Sequence, residues 1–208
     1  GKDWKTAILG HYSYLGRSVD RNNDSFMDAI VTNRLSLLNR WRYLARSDRH
    51  IELSFRYLTE DKLSGQTSGD NLSTEEYEFD TPYEVNIKTD QAELNSKIGF
   101  IFDKPFTSAG IISQARYHNQ ESLFGGSTYS GSQYSLYFKA AFQSTIIDTT
   151  KMIKIGLTYS SDRYDEALLL LRPAAPMIDN KHFARTDKFI GAYLSLIHIS
   201  EPTRPLTI

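Results

Sequence analysis

The chain has 208 residues, and its 24 Lys and Arg side chains against 25 Asp and Glu give a formal net charge of -1. This balance excludes a general electrostatic attraction to nucleic acid or anionic lipid. Because the sequence has no Cys and no apolar run near the roughly 20 residues of a transmembrane helix, it also excludes a disulfide framework, a thiol nucleophile and a helical membrane protein. Aromatic residues make up 12% of a chain that is only 40% hydrophobic, which favours half-exposed strands over a dense soluble core.

Apolar and polar residues alternate through most of the chain, and a period of two predicts β-strands. The clearest example is 51–57, where Ile, Leu, Phe and Tyr alternate with Glu52, Ser54 and Arg56. A strand of this kind separates two different media. The pattern predicts eight strands, at about 4–17, 31–44, 50–61, 83–102, 108–118, 132–147, 152–160 and 183–193.

Long and short polar connections alternate between these strands. The predicted long connections are 18–29, 62–81, 119–131 and 161–181. The predicted short connections are 45–49, 103–107 and 148–151. An up-and-down antiparallel sheet with all its long loops at one end is typical of outer-membrane β-barrels, which combine short periplasmic turns with longer extracellular loops.

Aromatic residues on the apolar side of these strands fall into two groups. The group near the short turns is Trp4, Trp41, Tyr43, Phe100, Phe102 and Phe142. The group near the long loops is Tyr12, Tyr14, Tyr57, Tyr117, Tyr134 and Tyr159. Two aromatic girdles with aliphatic residues between them indicate a lipid-facing surface. A soluble β-sandwich with a Tyr-rich core stays open as an alternative, because alternation alone does not separate the two.

Three segments of the chain resemble the barrel of TonB-dependent outer-membrane receptors, most closely the transporters of cobalamin or siderophores. They are Asp-Arg-Asn-Asn-Asp-Ser-Phe at 20–26, the segment 57–66, and Phe124-Gly125 followed by Tyr129, Gly131 and Gln133. The resemblance covers nearly all of 4–193. It implies an all-β fold, an antiparallel up-and-down transmembrane barrel segment whose sheet is open in this fragment. Since barrels of the family have 22 strands, eight strands are about a third of one.

The resemblance further implies active import of a scarce nutrient across the outer membrane of a Gram-negative bacterium. The implied partners are outer-membrane lipid, a plug domain of the same protein, TonB acting through an N-terminal part not seen in this chain, and a small nutrient bound by the long loops. No nucleic-acid partner is expected. The predicted wall of the lumen, facing the plug or simply water, is Arg40, Arg42, Glu52, Arg56, Glu93, Lys97, Gln114, Arg116, Lys139 and Lys154.

Enzyme chemistry finds little support in the sequence, so we predict that the protein is not an enzyme. Gly125, Gly126 and Gly131 do not frame a nucleophile elbow, there is no phosphate-binding loop, and the His residues lack metal-ligand spacing. A passive porin-like barrel and an enzymatic outer-membrane barrel remain as alternatives.

The first long connection carries a candidate calcium site. Asp20, Asn22, Asp24 and Asp28 place oxygen ligands at positions one, three, five and nine of an EF-hand-type loop. The alternative is that Asp, Asn and Ser cluster here because they favour turns.

This loop departs from the EF-hand pattern at two positions. Ser25 stands where the pattern has Gly, and Val31 stands where a bidentate Glu completes the ligand shell. A closing ligand is therefore expected from another loop, at Asp70 or within 75–80.

The end of the chain needs separate treatment. Residues 194–204 resemble the conceptual translation of a transposase sequencing adapter. We therefore divide the chain into a partial barrel at 1–193 and an adapter-derived tail at 194–208, and we leave the tail out of the functional argument. The alternative is that 194–199 is a genuine apolar strand end.

Overall fold

The computed structural model describes residues 3–43, 48–67, 83–146, 150–170 and 179–198. Within these ranges the chain is all-β, and the predicted number of eight strands is confirmed. The strands are β1 (Trp4–Leu15), β2 (Val31–Tyr43), β3 (Arg49–Gly65), β4 (Glu84–Ile101), β5 (Ser108–Phe124), β6 (Ser127–Thr145), β7 (Lys151–Leu170) and β8 (Asp179–His198).

All eight strands belong to one sheet, in the order β1-β2-β3-β4-β5-β6-β7-β8. Each strand runs antiparallel to the strand before it, which gives the predicted up-and-down topology. The sheet does not close, because β1 and β8 are each paired on one side only in the described part of the chain. A second sheet packed against the first, as in the β-sandwich alternative, is not found among the described residues.

The strand register separates the side chains onto two faces. Trp4 pairs with Tyr43 and Lys5 with Arg42, and the alternation continues in step across every pair from β1 to β8. We call the side that carries Trp4 the apolar face and the side that carries Lys5 the polar face. A one-residue slip in any pair would mix the two, so this contrast in polarity fixes the register.

The predicted loop at 119–131 is wrong. β5 continues to Phe124 and β6 begins at Ser127, so only Gly125 and Gly126 connect them. Gly125 has a φ of 59°, the left-handed conformation that the first central residue of a two-residue hairpin turn requires. The Gly-Gly pair therefore ends a long hairpin instead of lying inside a loop.

Several strand limits also differ from the prediction. β3 extends to Gly65 and β7 to Leu170, while β8 spans Asp179–His198 and thus takes up part of the predicted loop 161–181. β1 ends earlier than predicted, at Leu15. The extensions are mostly polar on both sides, and 167–170 at the end of β7 are apolar on both sides, so hydrophobic alternation gives no signal for either although the backbone ladder continues.

The start of the predicted tail lies within β8. Residues 194–198 pair with β7, from Leu194 opposite Ile155 to His198 opposite Lys151. This pairing follows from an alternating sequence whatever its origin, so the adapter assignment stays a prediction. Residues 199–208 lie outside the described residues.

The short turn between β4 and β5 is built by hydrogen bonds at both of its ends. Phe102 N donates to Thr107 O at 3.0 Å, and Thr107 N donates to Lys104 O at 3.1 Å. Lys104 Nζ reaches Thr145 O at 2.6 Å and so ties the turn to the end of β6. This turn agrees with the predicted short connection 103–107, whereas 44–47 and 147–149 of the other two lie outside the described residues.

Candidate functional site: a sheet with two different faces

Two regions of the sheet differ in how their faces are composed. The basal region lies between the short turns and the tyrosines at the other end. It comprises 4–12, 35–43, 49–57, 92–101, 108–117, 134–145, 151–159 and 190–193. The distal region is the rest of the strands, toward the first loop and the Gly125-Gly126 hairpin. The two faces contrast strongly in the basal region, and both are mostly polar in the distal region.

The apolar face of the basal region is a continuous aliphatic and aromatic surface that the described chain leaves open. Ile8 is 74% exposed, and Leu136 and Leu157 are each 56% exposed. No hydrophobic side chain among the described residues is buried. Since a monomeric soluble protein rarely leaves an apolar patch of this extent uncovered, the surface requires an apolar environment or partner.

Charged side chains on this face occur only at its margin. In the described basal strands they are Arg49 and Lys151, each the first residue of its strand. Uncharged polar residues within the face include Thr6, Asn39, Ser96 and Ser113, and Asn39 Oδ1 is buried without a hydrogen-bond partner.

Aromatic rings lie at both ends of the apolar basal face. Near the short turns, Trp4 and Tyr43 have ring centroids 5.1 Å apart, and Phe102 and Phe142 are edge-to-face at 6.5 Å. At the opposite end the Tyr117 and Tyr134 rings are 4.9 Å apart.

The structure therefore brings together three ring pairs from the predicted aromatic groups. Tyr57 Oη lies 3.2 Å from Asp90 Oδ1, so this phenol turns its polar tip toward the distal region. An apolar ring body with a polar tip suits a boundary between an apolar medium and water.

All ten residues predicted to line the lumen lie on the polar face. Arg42, Glu52 and Lys97 stand in one row across β2, β3 and β4, and Arg56, Glu93 and Arg116 in another across β3, β4 and β5. The remaining four share the face: Arg40, Gln114, Lys139 and Lys154.

Glu52 holds two arginines of this face. Arg40 Nε donates to Glu52 Oε1 at 2.9 Å, and Arg42 Nη2 donates to Oε2 at 2.9 Å. His50 Nε2 is 3.9 Å from the same carboxylate. The carboxylate thus fixes both guanidinium groups in place.

The distal polar face contains a network that the sequence did not reveal. Asp162 Oδ1 accepts a hydrogen bond from Ser135 Oγ at 2.5 Å and one from Gln133 Nε2 at 3.1 Å. The same Gln133 nitrogen is 3.3 Å from Tyr164 Oη. Gln133 and Ser135 are two residues apart in β6, so the sequence predicts that they share a face. Only the register of β6 against β7 places Asp162 opposite Ser135 and close to Gln133.

Tyr129 forms a separate hydrogen bond on the distal polar face. Its hydroxyl donates to Glu166 Oε1 at 2.8 Å. Burial raises the pKa of Tyr129 from its ordinary value of 10.0, and the hydrogen bond to the Glu166 carboxylate and its negative charge raise it further.

The candidate calcium residues serve as hydrogen-bond acceptors within their own loop. Asp20 Oδ2 accepts from Ser25 N at 2.9 Å, Asp24 Oδ1 from Phe26 N at 2.8 Å, and Asp28 Oδ2 from Arg21 N at 2.7 Å. These bonds hold 20–28 as a folded turn joined to β3 by the bridge between Phe26 and Gln66.

Within the described residues these side chains do not form a complete shell of calcium ligands. Asn22 Nδ2 donates to Asp24 Oδ2 at 2.9 Å, which occupies a further carboxylate oxygen. No group of three or more His, Asp or Glu able to hold a metal occurs within the ranges that the structure describes. The predicted closing ligands, Asp70 and 75–80, lie outside those ranges, so calcium binding stays a prediction.

Comparisons with protein-family models, with characterised proteins and with solved structures found no match to this chain. None of the described residues forms a helix that is long and apolar enough to cross a membrane.

Proposed function

We propose that this chain forms part of the wall of an outer-membrane β-barrel that belongs to a TonB-dependent active transporter. Such a protein imports a scarce nutrient of the cobalamin or siderophore class. The observation that carries the proposal is the two-faced basal region, where an open apolar face bounded by aromatic rings backs a polar and charged face. A barrel wall between lipid and a wet interior needs this combination.

Energetics favour lipid over a protein partner as the environment of the apolar face. Apolar side chains of this face occur on all eight strands, and exposed apolar area costs about 25 cal/mol per Å² in water. The short-turn and tyrosine ends carry amphipathic rings, whereas the middle is filled by aliphatic residues such as Leu136 and Leu157.

Strand length supports the same proposal. The strands have from 12 to 20 residues, and a tilted strand needs only about 9 to 11 to cross a bilayer. The surplus is the distal region, whose two polar faces suit water on both sides. In the proposed barrel this region extends beyond the lipid on the side of the long loops.

The assignment to TonB-dependent receptors is supported by the motif resemblance, and the structure gives that motif a consistent geometry. Gly125 makes the hairpin turn, and Tyr129, Gly131 and Gln133 all lie on the polar face of β6. The Tyr129 ring covers Gly131, where a Cβ would overlap it. In the proposed receptor these residues form the inner side of the outer rim, near the nutrient-binding loops.

The proposed mechanism divides the work between the two regions. The distal region and the connections that follow β1, β3 and β7 present the nutrient site to the exterior. The basal polar face surrounds the plug, and energy relayed by TonB moves the plug so that the nutrient passes.

The proposal is tested by expressing the full-length gene in a Gram-negative host. We expect the protein in the outer-membrane fraction, with migration in detergent gels that changes on heating, and nutrient uptake that stops when TonB is deleted. Uptake that continues without TonB would favour the passive porin. Recovery of the protein in the soluble fraction would contradict the barrel assignment.

A further inference from the structure

The polar face of the basal region carries far more cations than carboxylates. Its cations among the described residues are Lys5, Arg40, Arg42, Arg56, Lys97, Arg116, Lys139 and Lys154. Its carboxylates are Glu52 and Glu93. The distal part of the same face is balanced, with Arg34, Lys62, Lys181 and Arg185 against Glu60, Asp162, Glu166 and Asp187. The excess positive charge is therefore confined to the basal region.

Both basal carboxylates are already engaged. Glu52 is shared by Arg40 and Arg42, and Glu93 accepts a hydrogen bond from Asn95 Nδ2 at 2.7 Å. The side chains of the two arginines remain 44% and 41% exposed, and a guanidinium has five N–H donors. This pair therefore keeps fixed donors available to an acceptor outside the sheet.

Glu93 is the cross-strand neighbour of Arg56 and Arg116, and Glu52 that of Lys97, but none of these cations comes close enough to form an ion pair. No ion pair is formed by Arg56, Lys97, Arg116 or Lys154 with a described carboxylate. The Lys139 ammonium lies 5.7 Å from the centroid of the Tyr193 ring, which is a contact with an aromatic face and leaves its charge uncompensated.

A protein seated on this face must compensate these charges. An ammonium or guanidinium group that loses its water without gaining a carboxylate costs several kcal/mol. A neutral or basic surface would pay this cost at each cation that it covers, whereas an acidic surface would gain charge-assisted hydrogen bonds.

The breadth of the charged area favours a protein surface over a small anion. The cations extend from β1 to β7, and six strand spacings of about 4.8 Å amount to roughly 29 Å. Neutral hydrogen-bonding side chains, among them Ser54, Asn95 and Gln114, lie between them. A single small anion reaches only a few of these groups at once.

We propose that the basal polar face seats a folded protein surface that is acidic, with Asp and Glu side chains placed against the Arg40–Arg42 pair and against Lys97, Arg116, Lys139 and Lys154. The inference rests on the proposed function, which makes this face the interior wall of the barrel. It adds that the protein surface inside the barrel is negatively charged where it contacts this face.

A carbodiimide that joins a Lys amine to a neighbouring carboxylate with loss of water tests the contact directly. The full-length protein is treated in isolated outer membranes and digested for mass spectrometry. We expect Lys97, Lys139 and Lys154 to be joined to Asp or Glu of an acidic segment outside this sheet. Lys88, on the other side of β4 in the distal region, serves as the control and is expected to join only its cross-strand neighbours Asp61 and Glu121.

Thiol accessibility gives an independent readout, because this chain has no Cys of its own. A Gln114→Cys variant is expected to react roughly tenfold more slowly with a sulfonated maleimide than a Gln133→Cys variant in the distal region. Replacing Lys97, Lys139 and Lys154 together by Gln should remove this protection.

Matched neutralisation in the distal region provides the control for that effect. Changing Arg34, Lys62 and Arg185 to Gln removes the same number of charges from the same face and should leave the protection in place. Loss of protection in both triple variants would overturn the inference, because the basal cations would then have no special role.

Two further outcomes separate failure of this inference from failure of the proposed function. Fast labelling of Gln114→Cys, with no carbodiimide products beyond Glu52 and Glu93, would show an open basic interior that accepts small anions. This result would overturn the inference of an acidic partner but not the proposed function. Labelling of Leu136→Cys on the apolar face as fast as Gln133→Cys would show that the sheet is not in lipid, and would overturn the proposed function.

Discussion

The basal and distal regions share one backbone ladder but differ in what they place on its two sides. On β5 and β6 the basal apolar face carries residues such as Ala115 and Leu136, whereas the same side of the distal region carries Asn119, Glu121 and Ser130. The hydrogen-bonded pairs nevertheless continue without interruption to Phe124. The length of a strand is thus set by the ladder, and the contrast in polarity marks only its basal part.

The change from one region to the other occurs at the tyrosines. Tyr117 and Tyr134 pair across β5 and β6, and the next residues on the same side are Asn119 and Ser132. A phenol at this position places its ring toward the apolar side and its hydroxyl toward water. Four predictions follow the comparison from the basal region outward.

The largest effect is expected from charge on the basal apolar face. Arg in place of Leu53, Phe138 or Ile155 should cost about 2 to 4 kcal/mol of unfolding free energy in lipid vesicles, because the guanidinium would lie in hydrocarbon. Urea titration of the full-length protein measures this cost. The adjacent Ser54→Arg and Lys154→Arg variants, which point to the polar face, are the matched controls. Equal costs on both faces would contradict the assignment of the faces.

A smaller cost is expected at the distal hairpin. Gly125→Ala places a side chain at a φ of 59° and brings its Cβ 2.9 Å from the Tyr83 ring, which should cost about 1 to 2 kcal/mol. Gly126→Ala is the control, since Gly126 does not have a positive φ. Hydrogen exchange should show faster opening at the ends of β5 and β6 and unchanged protection in the basal region. Loss of basal protection as well would show that the two regions do not open separately.

The basal region was readily predicted from the sequence, for a physical reason. Where one face must be apolar and the other wet, side chains alternate with a period of two, as in 51–57, and the faces and the strand number follow. All ten predicted lumen residues lie on one face for the same reason.

The distal region lacks that contrast, so its strands were assigned to loops. The available signal at 119–131 was the Gly125-Gly126 pair between Phe124 and Ser127, which is typical of a two-residue hairpin. The pairing of Glu52 with both arginines could not be predicted, because it depends on the register of β2 against β3. The position of Asp162 opposite Ser135 depends in the same way on the register of β6 against β7.

The first loop provides a third prediction, with a readout for the structure and one for calcium. Asp20→Ala with Asp24→Ala removes acceptors for the Ser25 and Phe26 amides and should cost the loop about 1 kcal/mol. Calorimetry on the full-length protein should also show calcium uptake that the double variant loses, if the closing ligands at Asp70 or 75–80 complete the site. Identical uptake by the parent and the double variant would remove the calcium hypothesis and leave the carboxylates as turn-forming groups.

The smallest effect is expected at Tyr129, whose hydroxyl donates a hydrogen bond to Glu166 on the distal polar face and can lose its proton. Because its pKa is raised above 10.0 by burial and then by Glu166, the folded protein holds the phenolic proton more tightly than the unfolded chain does. The resulting stabilisation is complete below the ordinary pKa and is lost as the pH rises through the raised value. Its size should be less than about 1 kcal/mol, since the site is partly exposed to water.

Hydrogen exchange at β6 and β7 between about pH 9 and 11, the range around the ordinary Tyr pKa, measures this loss. The parent protein should lose protection over the upper part of that range, and Tyr129→Phe should not, because it carries no proton to release. Glu166→Gln removes the negative charge that raises the pKa of Tyr129, so this variant should lose protection at a lower pH than the parent protein. A parent profile that matches Tyr129→Phe at every pH would show that the Tyr129–Glu166 bond contributes nothing to the distal region, and that its ladder alone keeps the two strands together.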